Sequence, residues 1–445
     1  MRPFIFALPI SIVLSGCFGA SNVPSVSKPA VANLKSSAVG TYIKHVVIIV
    51  QENRSFDNIF AGFPNSNSLM YGYLHNGTKV NLQPIPYEVK DMGHYYLNGI
   101  MDYDGGKMDK FDLNPAGNGT IGTFAYSYLQ RTAVAPYWTI AKQYVLADHM
   151  FPTMFGPSYT GHLSLIAGTA DLTPTLSEAD LPTNFPWGCD APSGTISQVV
   201  NTSKKVTATG PFPCFTQFKT LAATLDAAGV SWKYYAPVVG SSSGGNQWSA
   251  FDSIRSVRYG TDWKAKVISP PQQVLTDAAN GALAGVSWVI PDENWSDHPN
   301  SGTPYGPSWV ANVINAIGTS SNWKSTAIVV VWDDWGGFYD NLQPPQLDFR
   351  GLGIRVPCLI VSPYVQPHVE HTSYEFGSIV KFVEQVFGLP ALGSQSAGYT
   401  DGRATSLANS FNFTMAPRAF SKIPAPYPPT FFIEHAPSRR APDNE

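Results

Sequence analysis

Three runs of apolar, mostly β-branched residues stand out along the chain: Val46-Val47-Ile48-Ile49-Val50, Ala327-Ile328-Val329-Val330-Val331 and Val356-Pro357-Cys358-Leu359-Ile360-Val361. None alternates between apolar and polar, so each reads as a strand buried on both faces, the hallmark of a parallel sheet clothed by helices. Helical stretches lie between and after them, for instance Ser308 to Ala316 and Phe376 to Val386. The pattern predicts an α/β fold with a mostly parallel central sheet flanked by helices. Ligands of such sheets collect beyond the carboxyl ends of the strands, which makes the residues after each run the place to look for chemistry.

Ahead of the first strand, Arg2 precedes an apolar stretch from Pro3 to Leu14 that is too short to span a bilayer but suits an export signal. Leu14-Ser15-Gly16-Cys17 resembles a bacterial lipoprotein cleavage site. Residues 1–17 are therefore expected to be a lipoprotein-type signal peptide, with Cys17 carrying a lipid that anchors the chain to a membrane of the bacterial cell envelope. An ordinary secretory signal, with a periplasmic or secreted product, is the alternative. Residues 18–40 read as a flexible tether rich in Ser, Ala, Val and Pro, 41–425 as the folded domain, and 426–445 as a Pro-rich C-terminal tail. Setting Cys17 aside leaves Cys189, Cys214 and Cys358, an odd number for an oxidising compartment. Cys358 sits in an apolar strand run and the other two in polar, Pro-rich loops, so the expected disulfide joins Cys189 to Cys214.

With 28 basic and 31 acidic residues and a net charge of -3, the chain lacks the basic footprint of a nucleic-acid binder. Its 38 Gly and 37 Pro fit long ordered loops that carry binding groups.

The first strand runs into Gln51-Glu52-Asn53-Arg54-Ser55-Phe56-Asp57, which aims oxygen donors of the kind hard divalent cations prefer; helix capping by Asn53, Ser55 and Asp57 is the plainer reading. The second runs into Trp332-Asp333-Asp334-Trp335-Gly336-Gly337-Phe338, where adjacent carboxylates repel unless a cation or a proton offsets them; an Asp-rich turn is the alternative. Two such clusters at strand ends of one sheet are expected to converge on one cation. Between them, Gly156-Pro157-Ser158-Tyr159-Thr160-Gly161-His162 presents hydroxyls just before a helical stretch, Leu163 to Ala167. Ser158 is a candidate nucleophile near exposed helix N–H groups, Thr160 the rival hydroxyl, and N-capping by either the structural alternative. No Gly-x-Ser-x-Gly elbow supports an ordinary serine esterase. Of the nine histidines, His94, His298 and His371 occupy polar loops where imidazoles bind phosphate or protonate leaving groups. His149 and His162 flank the hydroxyl segment and stay open, and His45, His75 and His435 read as surface residues.

Taken together, these residues resemble the phosphoesterase family that contains bacterial phosphatidylcholine-type phospholipases C and the respiratory-burst-inhibiting acid phosphatase. The resemblance covers about Ile43 to Leu392. It rests on Glu52 to Asp57, Asp91-x-x-His94 with Gly106 to Asp109, Gly156-Pro157-Ser158, His298-Pro299, Asp333-Asp334 with Gly336-Gly337-Phe338, Arg355-Val356-Pro357 and His371-Thr372-Ser373. It implies an alkaline-phosphatase-like fold with long loop insertions and a phosphate-ester substrate, either a small molecule or a phospholipid headgroup. It also implies a divalent metal ion held by Glu52, Asn53, Asp333 and Asp334, a phosphorylated intermediate on Ser158, and phosphate contacts from His94 and His298, with proton donation one role for His298. Thr160, His162 and His371 are left as supporting residues without a fixed role. The chain departs from the family where Gly-Pro-Ser-Tyr-Thr-Gly-His replaces a Gly-Pro-Thr and Pro-Asn-Arg segment, where Asp340-Asn341 replaces Asp-His, and where Tyr234-Tyr235 replace paired histidines. A sulfatase would need a Cys-x-Pro-x-Arg motif, which is absent. The non-enzyme alternative is a catalytically inactive, lipid-anchored binding protein.

Overall fold

The apolar runs are inner strands of a nine-stranded sheet. In chain order its strands are β1 (His45–Gln51), β2 (Val145–Phe151), β3 (Trp232–Tyr235), β4 (Val267–Ile268), β5 (Val286–Val289), β6 (Thr326–Trp332), β7 (Val356–Val361), β8 (His368–Glu370) and β9 (Tyr374–Glu375). They lie in the order β4-β3-β5-β1-β6-β7-β2-β8, with β9 also pairing with β2. Every pairing is parallel except those of β7, which runs antiparallel to β6 and β2. All residues of β6 and β7 are buried, and so are those of β1 after His45, as expected of strands covered on both faces. The structure is a computed structural model that describes residues 1, 39–116, 119–239, 248–301 and 303–435. Cys17, the signal segment, nearly all of the tether and the end of the tail lie outside the described residues.

Helices pack in two groups. One pairs α1 (Ala135–Gln143) with α3 (Gly306–Gly318), and the other pairs α2 (Ser158–Ala167) with α4 (Phe376–Phe387). Pro307 pre-sets the first turn of α3, while Gly168 and Gly388 end α2 and α4 in the left-handed conformation that glycine adopts without steric cost. The chain between α2 and β3 forms a small antiparallel sheet. Cys189 and Cys214 are bonded there, 4.5 Å apart at Cα, and Cys358 is buried and free on β7. The described part of the Pro-rich tail is docked: Phe432 is buried against Trp295 and Trp309, with ring centroids 5.5 and 5.4 Å away. Among the described residues no helix is long and apolar enough to cross a membrane.

One irregularity matters below. Along β2 and β7 the register pairs Ala147 with Cys358 and then Met150 with Val356, so Asp148 and His149 together face Pro357 alone. A residue without an N–H belongs at such a bulge, where the ladder loses a bond in any case.

Candidate active site

Parallel register explains why two distant acid clusters meet. Gln51, the last residue of β1, lies opposite Trp332, the last of β6, so both strands release their next residues at the same level. Asp333 N–H still donates to Gln51 O, at 3.0 Å. Asn53 then turns through a left-handed conformation, φ 53°, and its N–H donates to Asp333 Oδ1 at 3.0 Å. The opposing loop closes on it at Gly336, where φ is 60° and a Cβ would stand 2.1 Å from Asn53 O, so a side chain is excluded on both counts. Gly336 N–H in turn donates to Asp334 Oδ1 at 2.7 Å.

Helix α2 brings the hydroxyl. Ser158 is its first residue and its Oγ donates toward Asn53 Oδ1, at 3.2 Å, and Asp334 Oδ2, at 3.4 Å. One turn later, at i+4 on the same face, His162 Nε2 lies 2.9 Å from Glu52 Oε1 and 3.7 Å from Asp333 Oδ2. Gly161 lets the helix rest on the strand end, because a Cβ there would be 2.6 Å from Asp333 O. Thr160 is turned elsewhere, its hydroxyl donating to Pro157 O at 3.0 Å. No side chain caps α2, so neither Ser158 nor Thr160 acts as an N-cap.

His94 completes the near wall. Its Nδ1–H donates to Met92 O at 2.7 Å, which leaves Nε2 to accept from Asn53 Nδ2 at 2.9 Å, with Asp334 Oδ2 at 3.9 Å. The Asn53 carboxamide is thereby oriented, nitrogen toward His94 and oxygen toward Ser158. His298 faces His94 at 6.4 Å between ring centroids and Trp248 at 6.2 Å.

Glu52, Asn53, Asp333, Asp334 and Ser158 are fully buried, and His94, His162 and His298 nearly so. Three buried carboxylates in one cluster repel strongly, and Asp333 Oδ2 accepts no hydrogen bond. Carboxylate and carboxamide oxygens are hard donors, so the set fits a divalent cation, to which His162 adds one nitrogen within reach of Glu52 and Asp333.

Several sequence-nominated residues lie elsewhere. His371 and His149 both gather on Asp148, away from Ser158's partners. Asn341, at the departure from Asp-His, accepts from Arg355 Nη2 at 3.0 Å, in a network where Arg355 also holds Asp340 at 2.9 Å and Asp57 at 3.4 Å. Burial and the neighbouring Asp340 push the Asp57 carboxyl well above the usual range. Tyr234, at the other departure, donates its hydroxyl to Trp248 O at 2.9 Å. His45 and His435 bond backbone carbonyls of Ala284 and Phe431, and His75 pairs with Asp112.

Sequence left His162 without a fixed role and did not single out Asp297. The role of His162 was legible in its i+4 spacing from Ser158, had the helix been started at Ser158 rather than Leu163. Asp297 had no local signal. Its carboxylate accepts from Tyr137 OH at 2.8 Å, from Trp332 Nε1 at 2.9 Å and from Tyr87 OH at 2.5 Å, three groups from separate segments, and so fixes the chain just before His298. Burial pushes its pKa up to about 6.

The chain matches the model of the Phosphoesterase family over residues 43–390. It is 25% identical to a non-hemolytic phospholipase C of Burkholderia pseudomallei over 90% of this chain, spanning 64% of that protein. Phospholipase C B of Mycobacterium tuberculosis is 24% identical, covering 85% of this chain and 79% of that one. Non-specific phospholipase C4 of Arabidopsis thaliana is 22% identical, covering 79% and 69%. Among solved structures, the chain is similar to a protein in the alkaline phosphatase superfamily from Vibrio parahaemolyticus, with a TM-score of 0.40 and 12% identity over 83% of this chain and 72% of that one.

Proposed function

Because the chain belongs to the phosphoesterase family, hydrolases acting on phosphate esters, we propose that it cleaves its substrate through a phosphoserine at Ser158 with the help of a divalent cation. The observation that carries this reading is the Ser158 hydroxyl, held at a helix N-terminus and aimed into a buried cluster of Glu52, Asn53, Asp333 and Asp334. A cation bound by those four residues would lower the hydroxyl pKa and neutralise charge on the transferring group. Ser158 Oγ, its proton lost to solvent as the hydroxyl ionises, attacks phosphorus in line, and the Oγ–P bond forms as the bond to the leaving oxygen breaks. N–H groups at the start of α2 hold the phosphoryl oxygens, joined by the His94 imidazole when its Nε2 also carries a proton, and His298 protonates the leaving oxygen. Water then attacks phosphorus, its P–O bond forming as the Oγ–P bond breaks; Oγ regains a proton, and inorganic phosphate or, from a phospholipid, the phosphorylated headgroup is released.

The substrate class follows from the relatives, which are named as phospholipases C, and a phospholipid headgroup ester is the favoured substrate over a soluble phosphomonoester. A lipid on Cys17 would keep the enzyme beside that substrate; mass spectrometry of the exported protein that finds an unmodified start elsewhere overturns the anchor. The inactive binding-protein reading has no support, since nucleophile, acid clusters and both phosphate-facing histidines are all present.

The test is a panel of phosphomonoester, phosphodiester and phosphatidylcholine substrates with and without chelator. Hydrolysis that chelator abolishes and added metal restores is expected, highest on phosphatidylcholine. Full activity in chelator would refute the cation, and no turnover of any substrate with metal supplied would refute the hydrolase mechanism.

A further inference from the structure

The bulge in β2 builds a second cluster that the proposed mechanism does not use. Successive strand residues normally point to opposite faces, yet Asp148 and His149 both lie out of the ladder. On the β7 side they share Pro357. On the other side pairing stops at Glu370 with Ala147 and resumes at Tyr374 with Met150, so His371, Thr372 and Ser373 loop out beside them. The consequence is that Asp148 Oδ1 stands 3.0 Å from His149 Nδ1 and 2.9 Å from His371 Nδ1.

Hydrogen bonding accounts for only half of this arrangement. His371 Nδ1 bonds both carboxylate oxygens, at 2.9 and 3.0 Å, but His149 Nδ1 is buried without a hydrogen bond despite its distance from Asp148. It nonetheless stands in one group with the other two donors, and the three donor atoms all lie within 4.8 Å of one another. Four ligands placed tetrahedrally at a zinc–nitrogen distance would be about 3.3 Å apart, which this spacing accommodates. We propose that Asp148, His149 and His371 form a binding site for a zinc-type transition-metal ion, separate from the Glu52–Asp333 cluster.

The surroundings suit that role. Asn67 N–H donates to Asp148 Oδ2 at 2.6 Å, and the Asn67 carboxamide lies 3.3 Å from His149 Nε2. Turned with its oxygen to the ring, that amide holds the imidazole proton on Nε2 and frees Nδ1 for the ion, the arrangement that outer hydrogen bonds impose on metal-binding histidines. Arg355 Nη1 donates to the backbone carbonyls of Asn67 and Asp148, at 2.8 and 2.9 Å, and so ties together the two segments that flank the carboxylate. The His371 side chain is 56% exposed, which gives the ion a path from solvent and a fourth position for water. Two imidazoles and one carboxylate favour zinc or cobalt over magnesium or calcium, unlike the oxygen-rich cluster at Ser158. The ion would pin the His371 loop to the bulge at the edge of the sheet.

Titration of the metal-stripped full chain with cobalt(II) separates the two sites, because a tetrahedral nitrogen-rich site gives an intense visible band and an oxygen-rich one does not. A band that zinc(II) displaces is expected, and His371→Ala or His149→Ala should weaken binding at least about tenfold. Asp333→Asn should leave the band in place. Zinc should raise the melting temperature of the parent chain and not that of His371→Ala, whose metal-free melting temperature should match the parent's. The proposal is overturned if the parent shows no band, if the band survives unchanged in both histidine variants, or if it disappears in Asp333→Asn.

Discussion

Ser158 and Thr160 are two residues apart on one helix turn, yet their hydroxyls have different fates. Ser158 Oγ reaches Asn53 and Asp334, while Thr160 Oγ1 is spent on Pro157 O. Ser158→Ala should therefore lower turnover by about a thousandfold or more with no change in melting temperature, the signature of a lost nucleophile. Thr160→Ala should change turnover little, and the reverse pattern in steady-state assays would transfer the nucleophile's role to Thr160. Asp297 makes a prediction about pH. Its pKa rises from an ordinary 3.8 to about 6 because burial penalises the charge. The folded state thus holds this proton more tightly than the unfolded chain. The group's contribution is fully present below about pH 4 and is lost as pH rises through about 6, a total of about 3 kcal/mol. Melting temperature measured from pH 4 to 7 should carry that decline in the parent chain and lose it in Asp297→Asn; identical profiles would assign Asp297 an ordinary pKa.

Among the elements, α2 decides the geometry, because it must approach the ends of β1 and β6 closely enough for Ser158 and His162 to touch the acids. Gly161 is the point of approach. In an exposed helix, Gly→Ala stabilises by about 1 kcal/mol. Here the added Cβ would meet Asp333 O at 2.6 Å, so Gly161→Ala should lower the melting temperature and weaken binding of the cation proposed for the acid cluster, both measurable by calorimetry and metal analysis. A rise in melting temperature would show that the helix does not rest there. Local reading fared unevenly at this scale. The run 356–361 is a strand with the same limits, and the other two runs extend by one residue at each end, because continuous burial leaves little freedom in where such strands stop. The start of α2 was less legible: Gly156, Pro157 and Gly161 look like turn residues, but Pro157 is the N-cap and Gly161 serves the contact with Asp333.

For the molecule as a whole, the Cys189–Cys214 bond closes a loop with a sequence separation of 25 in the long insertion between α2 and β3. Reduction, or Cys189→Ser with Cys214→Ser, should cost about 3 kcal/mol and lower the melting temperature accordingly, while an unchanged melting temperature would mean that the insertion is ordered without it. The sequence by itself determined the layers and the level of the site. Strands covered on both faces must be unbroken apolar runs, and the polar residues that follow them emerge at the strands' carboxyl ends, so Glu52, Asn53, Asp333 and Asp334 could be nominated as one cluster without coordinates. Only the tertiary structure decided that His162 joins them while His149 and His371 do not. Asn53 meets Asp333 across 280 residues and Ser158 meets Asn53 across 105, distances in sequence over which strand order, register and helix docking select the neighbours. That is why His162 lies on the acid cluster and Asp297 anchors the chain before His298. A bulge facing Pro357, invisible in the apolar pattern, drew His371 and His149 to Asp148 instead.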